Sequence, residues 1–207
     1  MLERKGLLFI LSGPSGAGKG SMVKGIIERR DDIFLSISAT CRSPRKGEVE
    51  RGSYQFLSRE EFEDNISRSE YLEWAEIYGN LYGTPKEPVF RALNEGRNII
   101  LEIDYQGALQ IKRIYPDAIF VFVLPPSLEE LRQRVIRRDS ETQESLETRY
   151  YSALEEIHYL ERYDYFIIND KLEESIEKLN AIITAETCRV GQDVLTLLSS
   201  DYWKPKE

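Results

Sequence analysis

The run Gly13-Pro14-Ser15-Gly16-Ala17-Gly18-Lys19-Gly20-Ser21 gathers, in one short stretch, the residue types that make a backbone cradle for phosphate. Glycines let the chain turn tightly enough for several N–H groups to converge on one anion, and the first turn of a following helix adds partial positive charge. Lys19 then stands where an ammonium reaches the transferring phosphoryl group of a bound nucleotide. A glycine-rich turn that only fed a helix would have no use for a lysine at that place. The stretch therefore reads as a P-loop, with residues 13–21 as candidate nucleotide contacts. One position departs from the usual pattern: Gly20 follows the lysine where Ser or Thr normally holds magnesium, and the hydroxyl comes one residue later at Ser21. Mg²⁺ is expected to be held mostly by water and nucleotide oxygens. The loop alone leaves open whether the nucleotide is hydrolysed to drive motion or used as a phosphoryl donor.

A second group of cations lies in Ser38-Ala39-Thr40-Cys41-Arg42-Ser43-Pro44-Arg45-Lys46-Gly47-Glu48. Arg42 and Arg45, with Lys46, can grip a phosphate through forked, charge-assisted donors, and Tyr54 and Tyr82 can add phenolic hydrogen bonds. The alternative is a solvated loop. Its place after an apolar, strand-like run favours the anion site, because open α/β sheets bind ligands beyond the carboxyl ends of their strands. Glu102 and Asp104 close another such run; two apart on a strand they face the same side, where they could hold water around magnesium, touch a nucleoside or share one water network. Arg134 and Arg138, four apart on a helical pattern, also share a side, and Arg149 follows after the charged connection 139–142. The alternative there is a salt-bridged helix face with Glu129, Glu130 and Glu141; the P-loop earlier in the chain favours cations that converge on phosphate.

These residues need a scaffold, and the rest of the chain describes one. Its 207 residues, 41% hydrophobic and 31% charged, suit one globular domain and exclude wholesale disorder. A net charge of −8 repels nucleic acid and anionic lipid, so any anion site must be local. No apolar run approaches a membrane span or a secretory leader. Cys41, Cys188 and the lone His158 form no disulfide framework or zinc site, and a reducing cytoplasm is the expected home.

Near-continuous apolar runs at residues 7–11, 33–37, 98–103, 119–124 and 165–168 read as strands buried on both faces. Helical patterns at 19–30, 86–95 and 106–114 lie between them, which predicts an open α/β fold. Two more helices announce themselves by capping boxes, Ser58 to Glu61 and Ser127 to Glu130. A long helix over 143–162 carries Leu146, Tyr150, Ala153, Ile157 and Leu160 on one stripe and turns Arg149 away from it. Residues 39–85, rich in Gly, Tyr, Arg and Glu with short strand-like pieces, break the alternation and predict an inserted lobe.

With those motifs in order, the chain resembles the guanylate kinases over about residues 5 to 185, through GPSGAGKGS, SATCRSPRKGE, GSYQF, EYLEWAEIYGNLYGTP, ILEIDYQG, PPS, the arginine-rich helix and IIND. The resemblance implies transfer of the ATP γ-phosphoryl to GMP or dGMP with Mg²⁺. It implies a P-loop α/β core with a five-stranded, mostly parallel sheet (1–37, 86–126, 163–207), a mixed α+β GMP-binding lobe (38–85) and a helical lid (127–162). Carried over, it gives the GMP phosphate to Arg42, Arg45, Tyr54 and Tyr82. The guanine falls to Ser38, Glu73 and Thr84, with Glu102 and Asp104 as further site residues. Lys19, Arg134, Arg138 and Arg149 stabilise the transferring phosphoryl. Other readings are a binding module of the same architecture, a kinase for another monophosphate and a nucleotide-dependent switch. Nothing in the sequence signals an oligomeric state, and the tail after 185 has no assignable role.

Overall fold

A computed structural model describes residues 5–44, 48, 52, 54–136 and 143–190, giving only the backbone at 135 and 143–149. The apolar runs form one parallel sheet in the order β2-β7-β1-β8-β9. Its strands are β1 (Leu8–Ser12), β2 (Ile33–Leu35), β7 (Asn98–Glu102), β8 (Ile119–Leu124) and β9 (Tyr165–Ile168). All of its pairings are parallel, with Ile10 opposite Leu101 on one side of β1 and opposite Phe120 on the other.

Parallel strands need covered faces, which is why their side chains are apolar on both sides. One face packs on α1 (Lys19–Ile27) and α7 (Leu172–Thr187) through Met22, Val23, Ile26, Ile176, Leu179 and Ile183. The other packs on α3 (Lys86–Asn94) and α4 (Tyr105–Ile114) through Val89, Leu93, Ala108 and Ile111. Each such large aliphatic side chain contributes about 1.5–3 kcal/mol on burial.

β2 stops at Leu35 rather than residue 37. The chain leaves the sheet there: Ile37 is 49% exposed, and Ala39–Thr40 becomes β3 of a second sheet. That sheet, β4-β3-β6-β5, includes β4 (Gln55–Phe56), β5 (Tyr71–Ile77) and β6 (Asn80–Pro85). β3 and β4 are parallel and the other pairings antiparallel, so the inserted segment is mixed α+β as the composition break predicts. A two-residue hairpin turn joins β5 to β6 with Tyr78 at φ 49 and Gly79 at φ 76, the left-handed pair that matches strand twist. α2 (Arg59–Ser67) opens on the full Ser58–Glu61 capping box and seals the small core by stacking Phe62 on Tyr71 at 4.4 Å.

α5 (Leu128–Ile136) is capped by Ser127, whose hydroxyl accepts from Glu130 N at 3.0 Å, and Leu131 packs on Ala153 of α6 (Gln143–Ile157). The long helix ends at Ile157, short of residue 162. His158 and Tyr159 form i→i−3 bonds that tighten its last turn, and a separate 3₁₀ turn follows at Leu160–Arg162. Tyr159 is thereby released to stack on Tyr105 at 4.7 Å, which ties the end of α6 to the start of α4.

Candidate active site

Beyond the carboxyl ends of β1 and β7 opens a cleft of about 490 Å³, lined on one side by the glycine-rich loop and on the other by β5 and β6. The loop leaves β1 at Gly13, where φ is +135° and a Cβ would sit 2.2 Å from the Val123 carbonyl oxygen, so only glycine fits. Gly18, left-handed, starts α1 with no side-chain cap. The first-turn amides are thus open to an anion, as backbone cradles require. Lys19 curls over the loop and donates to the carbonyls of Gly13 and, at 3.2 Å, Pro14. Gly13, Ser15, Gly16, Gly18, Lys19 and Gly20 face the cleft; Pro14, Ala17 and Ser21 do not.

Asn169, to which sequence reasoning assigned no role, clamps the loop from behind. Its Nδ2 donates to Ala17 O at 2.7 Å, its backbone N to Leu124 O at 2.7 Å, and its carbonyl accepts from Arg134 at 3.0 Å. The IIND run was its only signal, visible there as a pattern without a mechanism.

Across the cleft, a β-bulge between Tyr71 and Glu73 resets the register so that Leu72 enters the main core and Glu73 pairs with Thr84. Glu73 is 4% exposed, and its Oε1 accepts from Thr84 Oγ1 at 2.6 Å. Burial pushes its carboxyl up to about 7, with nearby Asp104 adding to the rise against the Thr84 hydrogen bond. Its other oxygen lies against Gly107, where a Cβ would come within 2.3 Å of Oε2. Gly107 therefore leaves the room this carboxylate occupies. Gln110 docks the second sheet onto α4 by exchanging both amide groups with the Trp74 backbone, at 2.7 and 3.3 Å. Ser38 shares the cleft wall with Glu73, while Thr84 stands behind it.

Arg42 reaches the cleft beside Tyr54 and Tyr82. Its Nε donates to the Tyr82 hydroxyl at 3.1 Å, and its guanidinium lies 5.3 Å from the Tyr54 ring centre. Burial, with Glu102 next in effect, holds the Tyr54 phenol up at about 12, so it stays a hydrogen-bond donor at neutral pH.

Glu102 ends β7 and approaches Gly20, whose Cβ position lies 3.4 Å from Oε2. Asp104 is not on the strand: it is the N-cap of α4, with Oδ1 accepting from Gly107 N at 2.9 Å and Oδ2 from Gln106 at 3.2 Å. The shared-face argument for the two acids thus gives way, although both line the cleft. Burial raises the Asp104 carboxyl. Glu156, from α6, is a further cleft carboxyl that sequence reasoning missed. It is 9% exposed, and burial pushes it up to about 7. Among the described residues no group of three acidic or sulfur or imidazole ligands surrounds a metal position.

The arginines divide. Arg134 lies outside the cleft wall, held by Glu130 at 2.9 Å and by the Asn169 carbonyl. In this structure Arg134 is paired with a carboxylate four residues back, as on a salt-bridged helix face. Arg45 and Arg138 lie outside the described residues, as does the Arg149 side chain.

No helix among the described residues is long and apolar enough to cross a membrane. The family model described as guanylate kinase matches residues 5–186. The chain is 53% identical over 198 residues to a guanylate kinase of Clostridium perfringens, covering 96% of this chain and 92% of that one. It is 50% identical over 192 residues to one from Caldanaerobacter subterraneus, covering 93% of each. Among solved structures it is similar to the guanylate kinase of Anaplasma phagocytophilum, at 34% identity and a TM-score of 0.77 over 91% of this chain and 90% of that one. A phosphate cradle facing a buried carboxylate–threonine pair across one cleft thus sits in a sequence matched over nearly its whole length: the chain belongs to the guanylate kinase family.

Proposed function

We infer that the protein transfers the γ-phosphoryl group of ATP to GMP, and to dGMP, giving ADP and the guanosine diphosphate. The observation that carries this reading is Glu73, buried in the cleft with Thr84 and directly opposite the P-loop. Its carboxylate can accept from the N1–H and exocyclic amine of guanine together, whereas adenine offers an unprotonated N1 and no amine there. A site left with an unpaired buried carboxylate disfavours the wrong base by several kcal/mol.

The acceptor phosphate falls beside Arg42, Tyr54 and Tyr82, with Arg45 from the same loop, and Ser38 borders the base. The donor's phosphates fall to the amides of residues 13–21 and to Lys19, which exchanges the carbonyls of its own loop for phosphate oxygens. Transfer is in line, and no general base is required because the acceptor phosphate is already largely deprotonated at neutral pH. Positioning two polyanions against their mutual repulsion supplies most of the acceleration. Arg138 and Arg149 add positive charge when the lid, residues 127–162, covers the cleft. Arg134 serves by tying that segment to the Asn169 clamp.

The oxygen donors near Gly20 suit a hard cation that keeps much of its water. Glu102 would hold Mg²⁺ through water beside the P-loop, with Ser21 and Asp104 as outer contacts. Bound with ATP, it supplies charge neutralisation on the phosphate chain. Cys41 and Cys188 are unbridged, in keeping with a cytoplasmic enzyme of purine nucleotide metabolism.

The test is ADP release from ATP with GMP, dGMP, AMP, CMP and UMP in turn. GMP and dGMP are expected to be used and the others to be poor acceptors. Glu73→Gln is expected to lower the GMP-over-AMP ratio about a hundredfold; an unchanged ratio ends the base-recognition argument.

A further inference from the structure

Arg42 is held from two sides. Toward the cleft it meets Tyr82 and Tyr54; on the other side Glu48 grips the guanidinium as a fork, Oε2 at 2.8 Å from Nη1 and Oε1 at 3.2 Å from Nη2. Both side chains are only 13% exposed. Arg42, Tyr54 and Tyr82 line the cleft and Glu48 does not. We propose that Glu48 is a positioning residue for the acceptor pocket, fixing from behind the direction in which the Arg42 guanidinium meets the phosphate of a nucleoside monophosphate. The proposal rests on the reading of Arg42 as a phosphate ligand.

The hydrogen inventory of the guanidinium shows what this arrangement leaves for a ligand. Tyr82 takes the hydrogen on Nε. The Ser43 carbonyl, at 2.8 Å, and Glu48 take those on Nη1, and Glu48 takes one of the pair on Nη2. The second Nη2 hydrogen remains for a phosphate oxygen. Because the Tyr82 oxygen accepts from Arg42, its own hydrogen is directed elsewhere and can also serve the phosphate. Tyr54, kept protonated by burial, supplies another donor. The pocket thus presents separately aimed single donors, and their aim depends on one long, rotamer-rich side chain staying in place. The Tyr54 and Phe56 rings flank the guanidinium carbon at 5.3 and 5.8 Å, and among the described residues Glu48 and the Ser43 carbonyl are the acceptors that fix the direction of Nη1 and Nη2.

Charge and position make opposite predictions at this residue. As a charge, Glu48 weakens the field that attracts phosphate, so neutralising it would tighten GMP binding. As a positioning group, it keeps Arg42 aimed, so neutralising it loosens binding. Steady-state kinetics and GMP titration calorimetry on Glu48→Gln, Glu48→Asp, Arg42→Ala and the Arg42→Ala/Glu48→Gln double variant separate the two. Glu48→Gln is expected to raise KM and Kd for GMP roughly tenfold, the weight of a charge-assisted fork, with kcat and KM for ATP nearly unchanged. Glu48→Asp, which keeps the charge but shortens the reach, is expected to show the same rise. The double variant is expected to bind GMP no more weakly than Arg42→Ala. A fall or no change in KM for GMP on Glu48→Gln overturns the proposal. So does an equal further loss in the Arg42→Ala background, which would place the action of Glu48 elsewhere. If Arg42→Ala alone leaves GMP binding intact, the phosphate reading of Arg42 is what fails. Unchanged KM for ATP in each variant serves as the check that the fold is intact.

Discussion

The P-loop offers backbone donors from consecutive residues after one strand, whereas the pocket opposite is assembled from side chains on β5, β6, the start of α4 and the loop after β3. The first is a matter of permitted dihedral angles: Gly13 and Gly18 hold left-handed conformations, and the open first turn of α1 does the rest. The second is a matter of satisfied partners. Thr84 holds Glu73, Glu48 and Tyr82 hold Arg42, and Gly107 supplies space by having no side chain. A backbone cradle recognises phosphate on any nucleotide. A side-chain pocket can discriminate, because each of its groups is left unpaired when the wrong ligand enters.

Variants that strike one side alone should break this division of labour if it is wrong. The largest effect is expected for Lys19→Ala, which removes the loop's one charged side chain from the reacting phosphoryl. Turnover should fall by about 10²–10⁴-fold with every acceptor alike while the melting temperature is held. Preservation of near-normal kcat would remove Lys19 from the chemistry. A smaller, one-sided effect is expected for Gly107→Ala. The added Cβ pushes the Glu73 carboxylate off its bond to Thr84, so KM for GMP should rise roughly tenfold while KM for ATP stays put. An equal rise for both nucleotides would mean that the two pockets are not separable.

The smallest effect concerns acidity. Glu73 and Glu156 are held protonated up to about 7, above their ordinary 4.5, so the folded state binds these protons more tightly than the unfolded chain does. The stability they bring is full below the ordinary value and is lost as pH rises through about 7. Melting temperatures of the nucleotide-free protein should therefore decline between pH 5 and 8, and decline less in Glu73→Gln. Guanosine, which has no phosphate to titrate, should bind more tightly across the same window as Glu73 ionises. A pH-independent guanosine affinity would contradict the assignment.

The same contrast explains what could be read before the structure. The places of the strands along the chain and the P-loop depend on local pattern, apolar runs and glycine spacing, and the strands of the parallel sheet followed that pattern closely. Glu73 and Thr84 came into view only through resemblance, because a bulge and a hairpin bring them together and neither leaves a periodic trace. Asn169, Gly107, Gln110 and Glu48 were missed as partners although three of them stand inside quoted motifs. Asn169, Gly107 and Gln110 act on atoms distant in the chain, which no spacing reports, and Glu48 meets Arg42 at a separation of six residues that no helix or strand period marks. Asp104 shows the converse error: strand alternation placed it beside Glu102, but helix capping claimed it first.

The central claim is that both pockets open onto one cleft and are filled face to face. Titration calorimetry with adenosine and guanosine joined through a phosphate chain measures this directly. Binding far tighter than that of either ATP or GMP, and weakened by both Lys19→Ala and Glu73→Gln, is the predicted result. An affinity no better than the stronger single nucleotide, or insensitive to one of the two variants, would contradict it.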